Sequence, residues 1–239
     1  MALMVGAGAA QAVFPDFTGC TARNPATEGV CIDIQQRSGN FNIKGFNVPL
    51  HETLEIRGTL IANETGLPTF RAPAGSTGFI SRAERVPGGL IGIEWLPGNS
   101  VLAITELAGS PSAIRVDLGR LSVELPIKVR LVNLLLGMDC HIGNNSNPVR
   151  LTLVTETTSP PPPNSPISGS VGAFERFPGG FKVVGNNNVE NSFAVPGATE
   201  CGLGLGLINS LVNLRLGLPS AAGNNSIELR NDVAVGVVP

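Results

Sequence analysis

The sequence predicts an all-β protein, an antiparallel β-sandwich or a barrel-like fold, with two similar β units as one way of arranging it and two disulfides stapling it. Three observations carry that expectation. Apolar and polar residues alternate along several short runs, the signature of strands with one buried and one wet face. Between the runs lie turn formers, drawn from 30 Gly and 19 Pro in 239 residues. Four cysteines, Cys20, Cys31, Cys140 and Cys201, form an even set, as expected of a disulfide framework in an exported chain.

The chain opens with Met1 to Ala12, MALMVGAGAAQA, apolar and small and ending in Ala10-Gln11-Ala12. That is the apolar region and A-x-A cleavage pattern of a secretory signal peptide, although a basic leading segment is missing. The mature protein would begin near Val13 and be secreted or held in the cell envelope. The expected organisation is a signal peptide over 1–12, a β-rich unit over 13–157, a Pro-rich connector over 158–166 and a second β-rich unit over 167–239 packed on the first. No stretch approaches the ~18 consecutive apolar residues of a membrane helix.

Alternation is clearest at 123–131, where Val123, Leu125, Ile127, Val129 and Leu131 take one side and Glu124, Lys128 and Arg130 the other. Pro126 suggests an edge or a bulge there, because it cannot donate to a ladder. Leu54, Ile56 and Leu60 alternate with Glu55, Arg57 and Thr59. Val149, Leu151 and Leu153 alternate with Arg150 and Thr152, and Ile227 and Leu229 with Glu228 and Arg230. Further short strands are expected at 30–36, 41–48, 78–84, 90–96, 101–107, 112–118, 169–175, 181–184 and 191–195. Ser38-Gly39-Asn40, Pro87-Gly88-Gly89, Pro97-Gly98-Asn99, Pro178-Gly179-Gly180 and Gly185-Asn186-Asn187 supply turns between them. The one helix candidate is 205–214, with Leu207, Ile208, Leu211 and Leu214 at helical spacing. Residues 158–166, TSPPPPNSP, read as a stiff, extended connector between sheets or lobes.

An internal repeat supports the two-unit arrangement. Asn133 to Ser146 and Asn213 to Ser226 share eight of 14 aligned positions at an offset of 80, both running from NL-x-LG to GNNS. Glu84-Arg85-Val86-Pro87-Gly88-Gly89 matches Glu175-Arg176-Phe177-Pro178-Gly179-Gly180 upstream at an offset of 91. The GNNS elements read as turns, since Gly and Asn tolerate positive φ.

The stretch from Pro126-Ile127-Lys128-Val129 through LLLGMDCHIGNNSNPVRLTLVTETTSPPPPNSPISGSVG resembles a family of secreted actinobacterial proteins of unknown function. So does NSFAVPGATECG followed by LVNLRLGLPSAAGNNS. The likeness covers roughly residues 120–231. Cys140 and Cys201 stand where that family also places cysteines. The resemblance implies export and an all-β fold, and no activity. Of the three pairings open to four cysteines, the reading favours Cys20–Cys31 as a local staple and Cys140–Cys201 as a long bridge contributing about 4 kcal/mol.

The chemistry on offer is sparse. A formal net charge of −2 with 14% charged residues leaves no footprint for nucleic acid. His51 and His141 are the two histidines; there is no G-x-S-x-G elbow, and His51-Glu52 lacks the second histidine of H-E-x-x-H. Glu94, Glu106 and Glu124 lie on expected strands, where alternation reads them as solvent-facing rather than as a glycosidase pair. Gly202-Leu203-Gly204-Leu205-Gly206 is not a phosphate cradle. Asn63-Glu64-Thr65, Asn144-Asn145-Ser146 and Asn224-Asn225-Ser226 fit the glycosylation pattern and read as turns. With no Tyr and a single Trp, Trp95, a sugar-stacking platform is disfavoured.

The expectation is therefore a non-catalytic extracellular or cell-envelope protein with a structural or binding role, with no catalytic, cofactor or metal residues and no nucleic-acid partner. A module binding an apolar ligand or a glycan is the first alternative, favoured by an interior cavity of several hundred Å³. A hydrolase is the second, favoured by two carboxylates ~5–10 Å apart in a cleft.

Overall fold

Alternation, turn residues and disulfides together build one curled antiparallel sheet. The computed structural model describes residues 14–63, 66–93, 95–117, 120–202 and 206–238. The signal segment 1–12, Glu94 and positions 203–205 of the glycine run lie outside the described residues. In chain order the strands are β1 (Val30–Ile43), β2 (Phe46–Leu50), β3 (Leu54–Ile61), β4 (Thr69–Arg71), β5 (Phe79–Ser81), β6 (Glu84–Arg85), β7 (Leu102–Leu107) and β8 (Ser112–Asp117). There follow β9 (Arg120–Val132), β10 (His141–Ile142), β11 (Val149–Val154), β12 (Ala173–Phe177), β13 (Gly180–Glu190) and β14 (Ala198–Thr199). Helix α1 (Leu207–Leu216) and β15 (Asn225–Gly236) complete the chain.

The central path runs β14-β10-β9-β11-β13-β15-β1-β3-β4. The far edge of β9 carries β7 and β8, and the far edge of β3 carries β5 beside β4. The sheet curls until β5 lies near β7 and β4 near β8, without a ladder between them among the described residues. A barrel-like body results, with one seam left unzipped. Leu121, Val123, Leu125 and Ile127 of β9, Leu151 and Leu153 of β11, Ile227 and Leu229 of β15, and Ile32 and Ile34 of β1 point inward as one core. Every second residue is buried from Leu121 to Ile127 of β9 and from Val149 to Leu153 of β11, as alternation requires, while Val129 is half-buried.

Strands β13 and β15 sit between β11 and β1, so residues 167–239 and 13–157 contribute to a single sheet. The Pro-rich segment does not run as a spacer. Thr157 bridges Ser168, the Thr158 amide donates to the Ile167 carbonyl at 2.9 Å, and the segment returns to where it left. The Asn164 side chain holds the reversal by donating to the carbonyls of Asn191 and Asn225. The two repeat copies differ in form: Asn133 to Gly137 is a tight reversal, whereas Asn213 to Gly217 closes α1.

Other local readings change for identifiable reasons. The helix lies at 207–216, two residues beyond 205–214, and stops where Gly217 takes φ 67°. The 41–48 strand is cut by a turn at Lys44-Gly45, both at positive φ. The described residues of the 90–96 run, Leu90 to Ile93 with Trp95 and Leu96, form no strand. Positive φ at Gly88, Gly89 and Gly92 coils Leu90 to Ile93 around the Asn99 side chain, which accepts from the Ile91 amide and donates to the carbonyls of Gly88 and Ile93. Residues 191–195 give only the bridge between Val195 and Ser220. Pro126 is on neither an edge nor a bulge. Its carbonyl accepts from Ala108 between the ends of β7 and β8, and its missing N–H faces the same gap, so no ladder bond is lost.

Residues 14–29 form a strap over the outside of β1 and β3. Cys20–Cys31 staples it, Asp16 pairs with Arg57 at 2.7 Å, Phe17 meets Phe177 at 6.2 Å, and Arg37 lies over Phe14 at 5.6 Å. Cys31 to Gln36 are consequently buried on both faces of β1.

Candidate functional site

The unzipped seam opens into the interior. Phe46, Val48 and Leu50 of β2, exposed Arg82, and Ala103 and Thr105 of β7 form its mouth. Its floor is Leu125, Ile127, Leu151, Leu153, Ile227 and Leu229. The cavity measures ≈ 80 Å³ and is almost wholly apolar. That is far below the ~300–1,000 Å³ of sites that swallow whole drug-sized ligands, so the groove admits one slender chain, not a ring system. The Thr105 amide donates to Ser81 Oγ across the seam at 3.2 Å.

A smaller cavity of ≈ 30 Å³ adjoins it, sharing Leu54, Phe79, Leu125, Leu153 and Leu229 as walls. Three buried amides line it: Gln36, Asn188 and Asn231. Gln36 and Asn231 are register partners on β1 and β15, next to the bulge that inserts Arg37. The Gln36 carbonyl oxygen accepts from the Thr53 amide, the Thr53 hydroxyl and the Leu54 amide at 3.0–3.1 Å. Asn231 Nδ2 donates to Asn188 Oδ1 at 3.0 Å, and Asn188 Nδ2 donates to the Leu121 carbonyl at 3.0 Å. Among the described residues, Gln36 Nε2 and Asn231 Oδ1 have no hydrogen-bond partner.

The second disulfide, Cys140–Cys201, shapes the end of the barrel next to the groove. It anchors the lead-in to α1, where the Gly202 amide donates to the Leu136 carbonyl and the Cys201 amide to Asn209 Oδ1. Leu216 of α1 then lines the groove, and Arg215 lies over Phe46 at 4.8 Å. Leu207 and Leu214 of the same helix are exposed, as are Trp95, Leu134, Leu135 and Met138 on adjoining loops. Asn133 joins those loops by donating to the carbonyls of Gly98 and Ser100.

All four cysteines are paired as the favoured reading has them, and none is free. The other candidates scatter. Exposed His51 sits 3.3 Å from Glu84, whose carboxylate also accepts from the His51 amide at the groove mouth. His141 meets Glu106 at 3.4 Å, across the barrel wall from the groove. Burial would raise the Glu106 carboxyl, but Arg130 at 2.7 Å and His141 outweigh it and hold it below its ordinary value. Glu124 is exposed and accepts from Ser112 Oγ. Among the described residues, no group of three or more His, Cys, Asp or Glu is placed to hold a metal ion.

Two carboxylates do converge elsewhere. Gln35 Nε2 donates to Asp33 at 3.0 Å and to Glu55 at 3.3 Å, with Arg57 paired to Glu55. Asp33 is fully buried beneath the strap, so this pair forms no cleft. Burial, with the neighbouring Glu55 charge, pushes the Asp33 carboxyl up to about 7, against the lowering pull of the Asp16 amide and Arg57. The signal for these buried polar groups was present in the alternation: Gln36 follows Ile32 and Ile34 on one face, and Asn231 follows Ile227 and Leu229.

A wider, more open hollow of ≈ 460 Å³ lies where β4 approaches β8, with Leu60, Ile114 and Val235 as floor and Arg115 on its rim. Comparisons with family models, with curated proteins and with solved structures return no match. Among the described residues no helix is long and apolar enough to cross a membrane.

Proposed function

We propose that this is a secreted or cell-envelope protein without catalytic activity that binds a slender aliphatic ligand in the seam groove. The groove carries the reading: an apolar passage leads from exposed Arg82 at the surface to the fully enclosed core between β9, β11 and β15. Desolvating a chain there yields ~0.8 kcal/mol per buried methylene. The exposed aliphatic side chains beside α1 fit a protein that meets apolar material. Export rests on the signal-like start, the two disulfides and the resemblance to secreted actinobacterial proteins. A glycan is the weaker occupant, because the groove offers almost no polar lining.

A linear polyene fatty-acid probe that fluoresces only in apolar surroundings tests the reading. Saturable binding is expected, weakened at least ~tenfold by Val48→Trp, which fills the mouth. A signal that Val48→Trp leaves untouched, or none at all, would overturn the groove. Turnover of an ester, glycan or peptide library, abolished by one side-chain change, would overturn the non-catalytic reading.

A further inference from the structure

We infer that the groove ends in a recognition site for a small uncharged head that both accepts and donates a hydrogen bond, set by Gln36 and Asn231. This rests on the groove reading and specifies which end of the ligand enters first. Both side chains are more than nine-tenths buried, at 4% and 3% exposure. Their unpaired atoms are complementary: Gln36 Nε2 is a donor and Asn231 Oδ1 an acceptor, both on residues that line the ≈ 30 Å³ cavity. Their assignment is fixed by the partners already in place. The Gln36 oxygen is occupied by Thr53 and Leu54, and Asn231 Nδ2 by Asn188.

Buried polar atoms are almost always paired, and leaving one unpaired costs ~1–3 kcal/mol. Two on neighbouring residues in one pocket mark a place built for a polar visitor. The space holds about two water-sized atoms, the size of the terminal oxygen and nitrogen of a primary amide, or of the two oxygens of an unionised carboxyl. Charge is disfavoured: among the described residues no Lys, Arg, Asp or Glu lines this pocket, and an isolated ion in such surroundings is expensive. The ligand class is a single aliphatic chain ending in a primary amide or unionised acid. It enters head first through the Val48–Thr105 mouth and leaves its tail against Leu125, Leu151 and Leu153.

Calorimetric titration of the full chain with heptanamide and with heptanenitrile tests this. The two share chain and girth, but the nitrile cannot donate to Asn231. Heptanamide is expected to bind more tightly, and Asn231→Leu to lower the ratio of the two affinities about tenfold while nitrile binding persists. Equal affinities for both probes would overturn the head-group site and leave the groove standing; binding of neither would overturn both. Because Asn231→Leu also unpairs Asn188, a crystal structure of the unaltered protein with heptanamide is the second measurement. The amide should lie between Gln36 Nε2 and Asn231 Oδ1, and two waters that the probe does not displace would overturn the site.

Discussion

The wall formed by β15, β1 and β3 and the seam between β5 and β7 show opposite ways of bounding one interior. The wall is sealed twice, by the core inside and by the disulfide-stapled strap outside, and it carries a fully buried carboxyl inside an ion-pair network. Among the described residues the seam has no ladder, only side chain-mediated hydrogen bonds such as Thr105 to Ser81, and half-exposed apolar residues on both banks. Buried polarity divides less sharply. Beneath the strap, Asp16, Asp33, Glu55, Gln35 and Arg57 bond one another and leave Asp33 Oδ1 unpaired, while the amides of the smaller cavity leave both a donor and an acceptor unpaired. The strap side is rigid support, and the seam is where the interior can be reached.

The largest expected effect that sharpens this contrast is pH dependence on the sealed side. Between the ordinary carboxylate range near 4 and about 7, the folded chain holds a proton on Asp33 that the unfolded chain has released. Raising pH through that window therefore withdraws stability, by up to about 4 kcal/mol. The facing groups are Asp16, Glu55, Arg57 and the Gln35 amide. Urea unfolding across pH should show the decline, and Asp33→Asn should flatten it; a wild-type curve as flat as the variant's would break the account. Next comes the staple. Replacing Cys20 and Cys31 by Ser opens an 11-residue loop and should cost about 3 kcal/mol. Faster hydrogen exchange should follow along Cys31 to Gln36, with none gained at β7. Equal loss of protection on both sides would mean that wall and seam do not differ. The smallest effect belongs to the seam: Ser81→Ala removes its crossing hydrogen bond and should cost about 1 kcal/mol. Uptake of the polyene probe, followed by stopped flow, should become faster.

The sequence was most readable where one rule sufficed. Leu125, Ile127, Leu151 and Leu153 alternate because β9 and β11 have one face in and one face out, and the cysteines pair as loop length suggests. It was least readable where distant segments decide. The two-faced burial of Cys31 to Gln36 depends on a strap anchored by Asp16 and Phe17, and Pro126 is tolerated only because β7 and β8 leave a gap there. LIGIEWL has the composition of a strand, but three left-handed glycines and one asparagine coil its first four residues. For the site, Gln36 and Asn231 were visible as polar letters in an apolar register, yet their meeting beside a cavity depends on a pairing across 195 positions.

That pairing bears on how the molecule comes into being. Strand β1 cannot complete its ladder until β15, at the far end of the chain, has arrived. A nascent chain that still lacks β15 carries β1 and β13 as bare edges, open to pairing with other chains. Closure by such distant partners is slow. The ladder at the centre of the sheet is therefore the last to close, whatever order the other strands form in.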